Sequence, residues 1–148
     1  MTETTGGCAC GRVRYVAEID GDDAYLCHCR MCQRATGSVS IAFVQVEVAK
    51  VRWLTPPDWY DSSSIARRPF CSGCGTSLGF VYKDEARGKM DLTVASFDDP
   101  SCFRPILHAG AESLIETWID TSALPRQPTN ADAEAATSAD AARARDAA

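Results

Sequence analysis

Seven of the eight cysteines in this 148-residue chain fall in three short clusters. The first is Cys8-Ala9-Cys10-Gly11, the second Cys27-His28-Cys29-Arg30-Met31-Cys32, and the third Cys71-Ser72-Gly73-Cys74-Gly75. A C-x-x-C followed by glycine is a knuckle: the turn aims two thiolates at one ion, and the glycine lets the backbone fold back closely. C-x-C holds two sulfurs on nearly adjacent positions, which suits chelation and strains a disulfide. The first residues, Met1 to Gly7, have neither the basic nor the apolar region of an export leader. The expected compartment is therefore the cytoplasm, where thiols stay reduced and clustered cysteines read as metal ligands or redox groups.

A closed structural zinc takes four ligands. One C-x-C and one C-x-x-C supply four, whereas Cys27, Cys29 and Cys32 supply three from a single loop. Three protein ligands leave a position for water or substrate, the pattern of a catalytic zinc. Spacing alone leaves open which clusters pair, and His28, His108 or Cys102 could supply the missing ligand of the second cluster to make another structural or redox site. Outside the clusters, Cys102 reads as a small buried apolar side chain, His108 as a hydrogen-bonded structural residue and Trp118 as core. Arg30 and Arg34 flank the second cluster, Arg12 and Arg14 follow the first, and Arg67 and Arg68 precede the third. Together they could offset thiolate charge or hold a carboxylate-bearing substrate.

Short alternating segments must position these groups. Arg12 to Ala17 puts Val13, Tyr15 and Ala17 on one side; Ser38 to Val48 alternates Val39, Ile41 and Phe43; Val51 and Trp53 continue after a break. Met90, Leu92 and Val94 alternate again, and a last strand is expected through Thr117-Trp118-Ile119. These are strands of period two, so the fold class is mainly β. One short helix is expected near Arg30 to Thr36, stopped by Gly37. Residues 1–125 read as one domain; residues 126–148, set off by Pro125 and Pro128, hold no apolar residue larger than alanine and read as a flexible tail. With 20 acidic against 15 basic side chains and a formal charge of −5, nucleic acid is not an expected partner. A membrane is not one either, because no apolar run reaches about 18 residues.

Gly7-Cys8-Ala9-Cys10-Gly11-Arg12-Val13-Arg14-Tyr15 resembles the opening motif of the glutathione-dependent formaldehyde-activating enzyme family, whose domain is shared with centromere protein V. Cys27 to Gly37 resembles that family's central metal loop and Arg68 to Leu78 its knuckle; Phe97-Asp98-Asp99-Pro100, Pro105, His108, Trp118 and Leu124-Pro125 follow in the family's order. The resemblance implies a structural zinc on Cys8, Cys10, Cys71 and Cys74, and a second, labile zinc on Cys27, Cys29 and Cys32. It also implies a β-tent fold, several coiled antiparallel sheets pinned by the structural zinc. For activity it implies a carbon–sulfur lyase or synthase that condenses a small thiol, glutathione, with formaldehyde to S-hydroxymethylglutathione. In that case Cys27, Cys29 and Cys32 act in catalysis as ligands of the open zinc. The alternative is a non-catalytic zinc module that binds a thiol or a protein partner.

Overall fold

Alternating Val, Ile and aromatic residues become strands wherever a neighbour can cover one face. The computed structural model describes residues 1–126 and residue 128. Most of the expected tail lies outside the described residues. Among those described, no helix is long and apolar enough to cross a membrane.

Strands β1 (Thr2–Gly7), β2 (Arg14–Ile19) and β5 (Val51–Thr55) form a three-stranded antiparallel sheet in the order β1-β2-β5. The second sheet holds β3 (Asp23–Cys27), β4 (Ile41–Glu47), β6 (Asp58–Asp61), β7 (Ala66–Phe70), β8 (Gly79–Tyr82), β9 (Lys89–Thr93) and β10 (Arg104–Ala109). Its order is β10-β3-β4-β9-β8-β7-β6. Every pair is antiparallel except β10 on β3, which is parallel. The expectation of a mainly β chain with antiparallel sheets holds, with that one parallel edge added.

The core lies between the two sheets. Val13, Tyr15 and Ala17 are fully buried, as their alternation implies, together with Val44, Leu78 and Leu92. Tyr15 meets Trp53 and Phe97 edge-on, and its hydroxyl shares a 2.8 Å hydrogen bond with Ser96. In β4, simple alternation breaks down because Phe43 and Val44 are both buried. Val44 faces the main core while Phe43 packs with Cys27 and Cys32 on the other side of the sheet. A central strand covered on both faces loses the period-two signal.

Helix α1 spans Arg30–Thr36 and ends on Gly37 in the left-handed conformation, as expected. Three expectations fail. Thr117 to Ile119 is not a strand: Gly110 turns the chain off the sheet, and single 3-10 turns follow at Ala111–Ser113 and Glu116–Trp118. Trp118 is consequently 59% exposed instead of core. Cys102 is also exposed, because the Asp99-capped turn Pro100–Cys102 sits on the surface and ties its thiol to the Asp99 carbonyl at 3.0 Å.

Candidate metal centres

The turn between β1 and β2 carries Cys8 and Cys10, and the turn between β7 and β8 carries Cys71 and Cys74. Their four sulfurs lie within 4.8 Å of one another, with Cys8 to Cys10 at 3.5 Å and Cys10 to Cys71 at 3.8 Å. Zn–S bonds of about 2.3 Å in a tetrahedron separate sulfurs by about 3.8 Å, so the donor set fits such an ion. Gly75 (φ +78°) makes the turn out of the knuckle, and its N–H returns to the Cys71 carbonyl at 2.7 Å.

Each end of this cluster is supplied with donors. The Val13 N–H reaches Cys8 Sγ at 3.2 Å, Arg12 Nε reaches Cys71 Sγ at 3.4 Å, and Thr76 Oγ1 lies 3.1 Å from Cys74 Sγ. Arg12 also pairs with Asp58, whose carboxylate accepts the Ser72 N–H at 2.8 Å. Against burial, which raises it, Thr76 brings the Cys74 thiol down to about 6. Cys10 is pushed up to about 12: the Arg12 N–H lowers it, but burial and the neighbouring thiols outweigh that. Four sulfurs this close cannot all ionise without a cation among them, and the cluster could hold a metal ion.

The second cluster is built from one strand end and one helix start. Cys27 closes β3, Cys29 caps α1 by accepting the Cys32 N–H at 3.4 Å, and Cys32 lies in the first turn. Their sulfurs are again within 4.8 Å of one another, with Cys27 to Cys29 at 3.6 Å, so three donors could hold a metal ion. All three line a cavity of about 520 Å³, walled also by Phe43, Phe80 and Asp91. None of Cys8, Cys10, Cys71 and Cys74 lines it.

Arg68, only 1% exposed, donates from Nη2 to Cys32 Sγ at 3.3 Å and lies 4.9 Å from the Phe80 ring centre. Contact with Cys27 lowers the Cys32 thiol to about 5; burial opposes the shift and Arg68 adds to it. The same contact, with burial, raises Cys27. Thiolate character is therefore favoured beside the buried guanidinium.

His28 and His108 do not join the thiols. They bond each other, Nε2 to Nδ1 at 2.9 Å, which fastens β10 to the loop after β3. The reading of His108 as a structural residue holds. Burial, and then His108, keep His28 below the ordinary histidine range. The arginines divide differently from their sequence neighbourhoods. Arg12 serves the knuckle, Arg68 the three-thiol cluster, Arg14 pairs with Asp98 at 2.5 Å, Arg67 lies over Trp59, and Arg30 and Arg34 line a separate depression.

Asp91 was not visible as a site residue in the sequence. It stands between the core residues Met90 and Leu92 and so reads as the solvent-facing member of an alternating strand. The usable signal was its place in a central strand, where the opposite face is covered too.

The family model for the glutathione-dependent formaldehyde-activating enzyme matches residues 3–113, a span that includes both thiol clusters. The chain belongs to this family. A Schizosaccharomyces pombe protein named as an uncharacterized lyase is 35% identical over 82 residues, covering 55% of this chain and 60% of its own length. The chain thus spans less than two thirds of that relative. A crystal structure of a Rhodobacter sphaeroides protein superposes with a TM-score of 0.57 at 21% identity, covering 71% of this chain and 99% of the other. It shares the fold.

Proposed function

We propose that this member of the family is a zinc-dependent carbon–sulfur lyase, also run as a synthase, that splits or forms the adduct of a small thiol and an aldehyde. Glutathione and formaldehyde are the pair the family description names. The observation that carries the reading is the difference between the two clusters: three thiols open onto a cavity that the four-thiol cluster does not line.

In this reading Cys8, Cys10, Cys71 and Cys74 hold a structural zinc, and Cys27, Cys29 and Cys32 hold a second, exchangeable one. A zinc with an open position stabilises an incoming thiol as its thiolate. The protein's own part is to hold and shield the reactants. Phe43 and Phe80 offer apolar walls to the carbon body, and Arg68 offsets the negative charge gathered on the thiolates. Seven clustered thiols suit a reducing compartment such as the cytoplasm. Residues 1–125 form the working domain.

Zinc content per chain, measured with and without millimolar glutathione followed by gel filtration, tests the assignment. One zinc retained throughout and a second lost or exchanged in thiol is the expected result. Two zincs held equally tightly in both conditions would overturn the open site. Cys32→Ser should abolish thiol–aldehyde turnover while leaving the fold intact; turnover surviving at the wild-type rate would remove the three-thiol cluster from the chemistry.

A further inference from the structure

The cavity contains a carboxyl group that the proposed chemistry leaves idle. Asp91 sits in the middle of β9, is 7% exposed, and lines the cavity beside the three thiols. Its Oδ1 has no hydrogen-bond partner. Among the described residues the other buried side-chain nitrogens or oxygens in that condition are Nε and Nη1 of Arg68, the residue that donates to Cys32. The orphaned polar atoms of the buried interior thus belong to two residues, both at this one site. Leaving such atoms unpaired costs on the order of 1–3 kcal/mol each, a burden that well-packed interiors avoid and working sites carry.

The neighbours define what Asp91 can do. Tyr25 from β3, Gln45 from β4, Cys32 from α1 and Arg68 from β7 face it. Burial pushes the carboxyl up to about 6, although Tyr25, Gln45 and Arg68 pull it down. Burial raises the Tyr25 phenol, which therefore stays a donor. His28 and His108 are engaged with each other, and neither lines the cavity. Asp91 is left as the cavity group able both to take and to give a proton near neutrality.

We propose that Asp91 is the catalytic acid–base residue of this cavity, an inference that rests on the thiol–aldehyde reading. In the forming direction its carboxylate takes the S–H proton of the thiol as sulfur bonds to the aldehyde carbon. The carbonyl π pair moves to oxygen, and Asp91 returns the proton to that oxygen. The adduct leaves with a hydroxyl and the carboxylate ends as it began. In the splitting direction Asp91 takes the hydroxyl proton, the C=O bond re-forms, the C–S electron pair goes to sulfur, and Asp91 protonates that sulfur. No oxidant, reductant or further reactant is needed.

The test is the rate at which carbon-13 formaldehyde exchanges with its glutathione adduct, read by exchange NMR on the zinc-loaded full chain. The wild-type protein should accelerate this exchange over buffer. Asp91→Asn, nearly the same in shape, should lower the accelerated rate roughly 100-fold, with zinc content unchanged and a melting temperature no lower than wild type. A wild-type protein no faster than buffer would overturn the thiol–aldehyde reading and this inference with it. Acceleration retained in Asp91→Asn would overturn the role of Asp91 alone. Should Asp91→Asn not fold, the wild-type exchange in heavy water decides: a slowed rate supports proton transfer by the protein, and an unchanged rate overturns it.

Discussion

A guanidinium as buried as that of Arg68 is tolerated only beside negative charge, and the sulfur it touches is Cys32. Arg68→Met should therefore weaken the hold of the three-thiol cluster on its ion far more than that of the knuckle. Release to a chromogenic chelator would show one fast and one slow ion where the wild-type protein shows slower loss of the first. Equal release from both proteins would remove Arg68 from the site. Sequence proximity suggests the third cluster for Arg68, but the pleat of β7 turns Arg67 out over Trp59 and Arg68 inward. A second residue makes a pH prediction. Arg14, then Thr5, hold the Asp98 carboxyl down to about 2. A depressed carboxylate adds stability above its unfolded value of about 3.9, and loses it as pH falls toward the folded value. The pair is half exposed, so its worth is below about 1 kcal/mol. The melting temperature of Asp98→Asn should fall slightly below wild type at neutral pH, and the difference should vanish in strong acid.

Gly110 ends β10 with φ +64°, and a Cβ there would lie 2.7 Å from the Cys29 nitrogen. Gly110→Ala forces the strand end away from the loop that carries the thiol. The expected cost is about 1–3 kcal/mol, read as a lower melting temperature, together with a weaker second metal site and an intact first one. How legible each element was follows from its surroundings. β2, β5 and β9 alternate in residue type, although β2 and β9 bury Val16 and Asp91 on their second face as well, and α1 is short but punctuated by Gly37. β10 gives no such sign: Arg104-Pro105-Ile106-Leu107-His108 contains a proline, leaves Ile106 and Leu107 exposed, and pairs in parallel with a distant strand. Cysteine spacing announced how many donors each loop offers. That one set faces a cavity depends on Phe43, Phe80 and Asp91 from three separate strands, which no local pattern brings together.

Across the whole molecule the four-thiol cluster ties a turn of the small sheet to a turn of the large one. If it holds a structural ion, binding energy there is folding energy. Cys71→Ala should unfold the chain, or leave it without a cooperative thermal transition, whereas Cys32→Ser should melt close to wild type; circular dichroism on heating separates the two. A stable, cooperatively melting Cys71→Ala protein would contradict the role of that cluster as a pin. The parallel seam of β10 on β3 has another consequence, in the order of assembly. His108 meets His28 across 80 positions of chain, so this wall of the cavity leaves the ribosome well after the thiol loop. Closing so distant a contact is slow compared with gathering three thiols from six consecutive residues. All seven clustered sulfurs are out before Leu107 and Ala109 arrive. The nascent loop is therefore wider open on its β10 side than in the finished protein, where Leu107 and Ala109 complete the cavity wall.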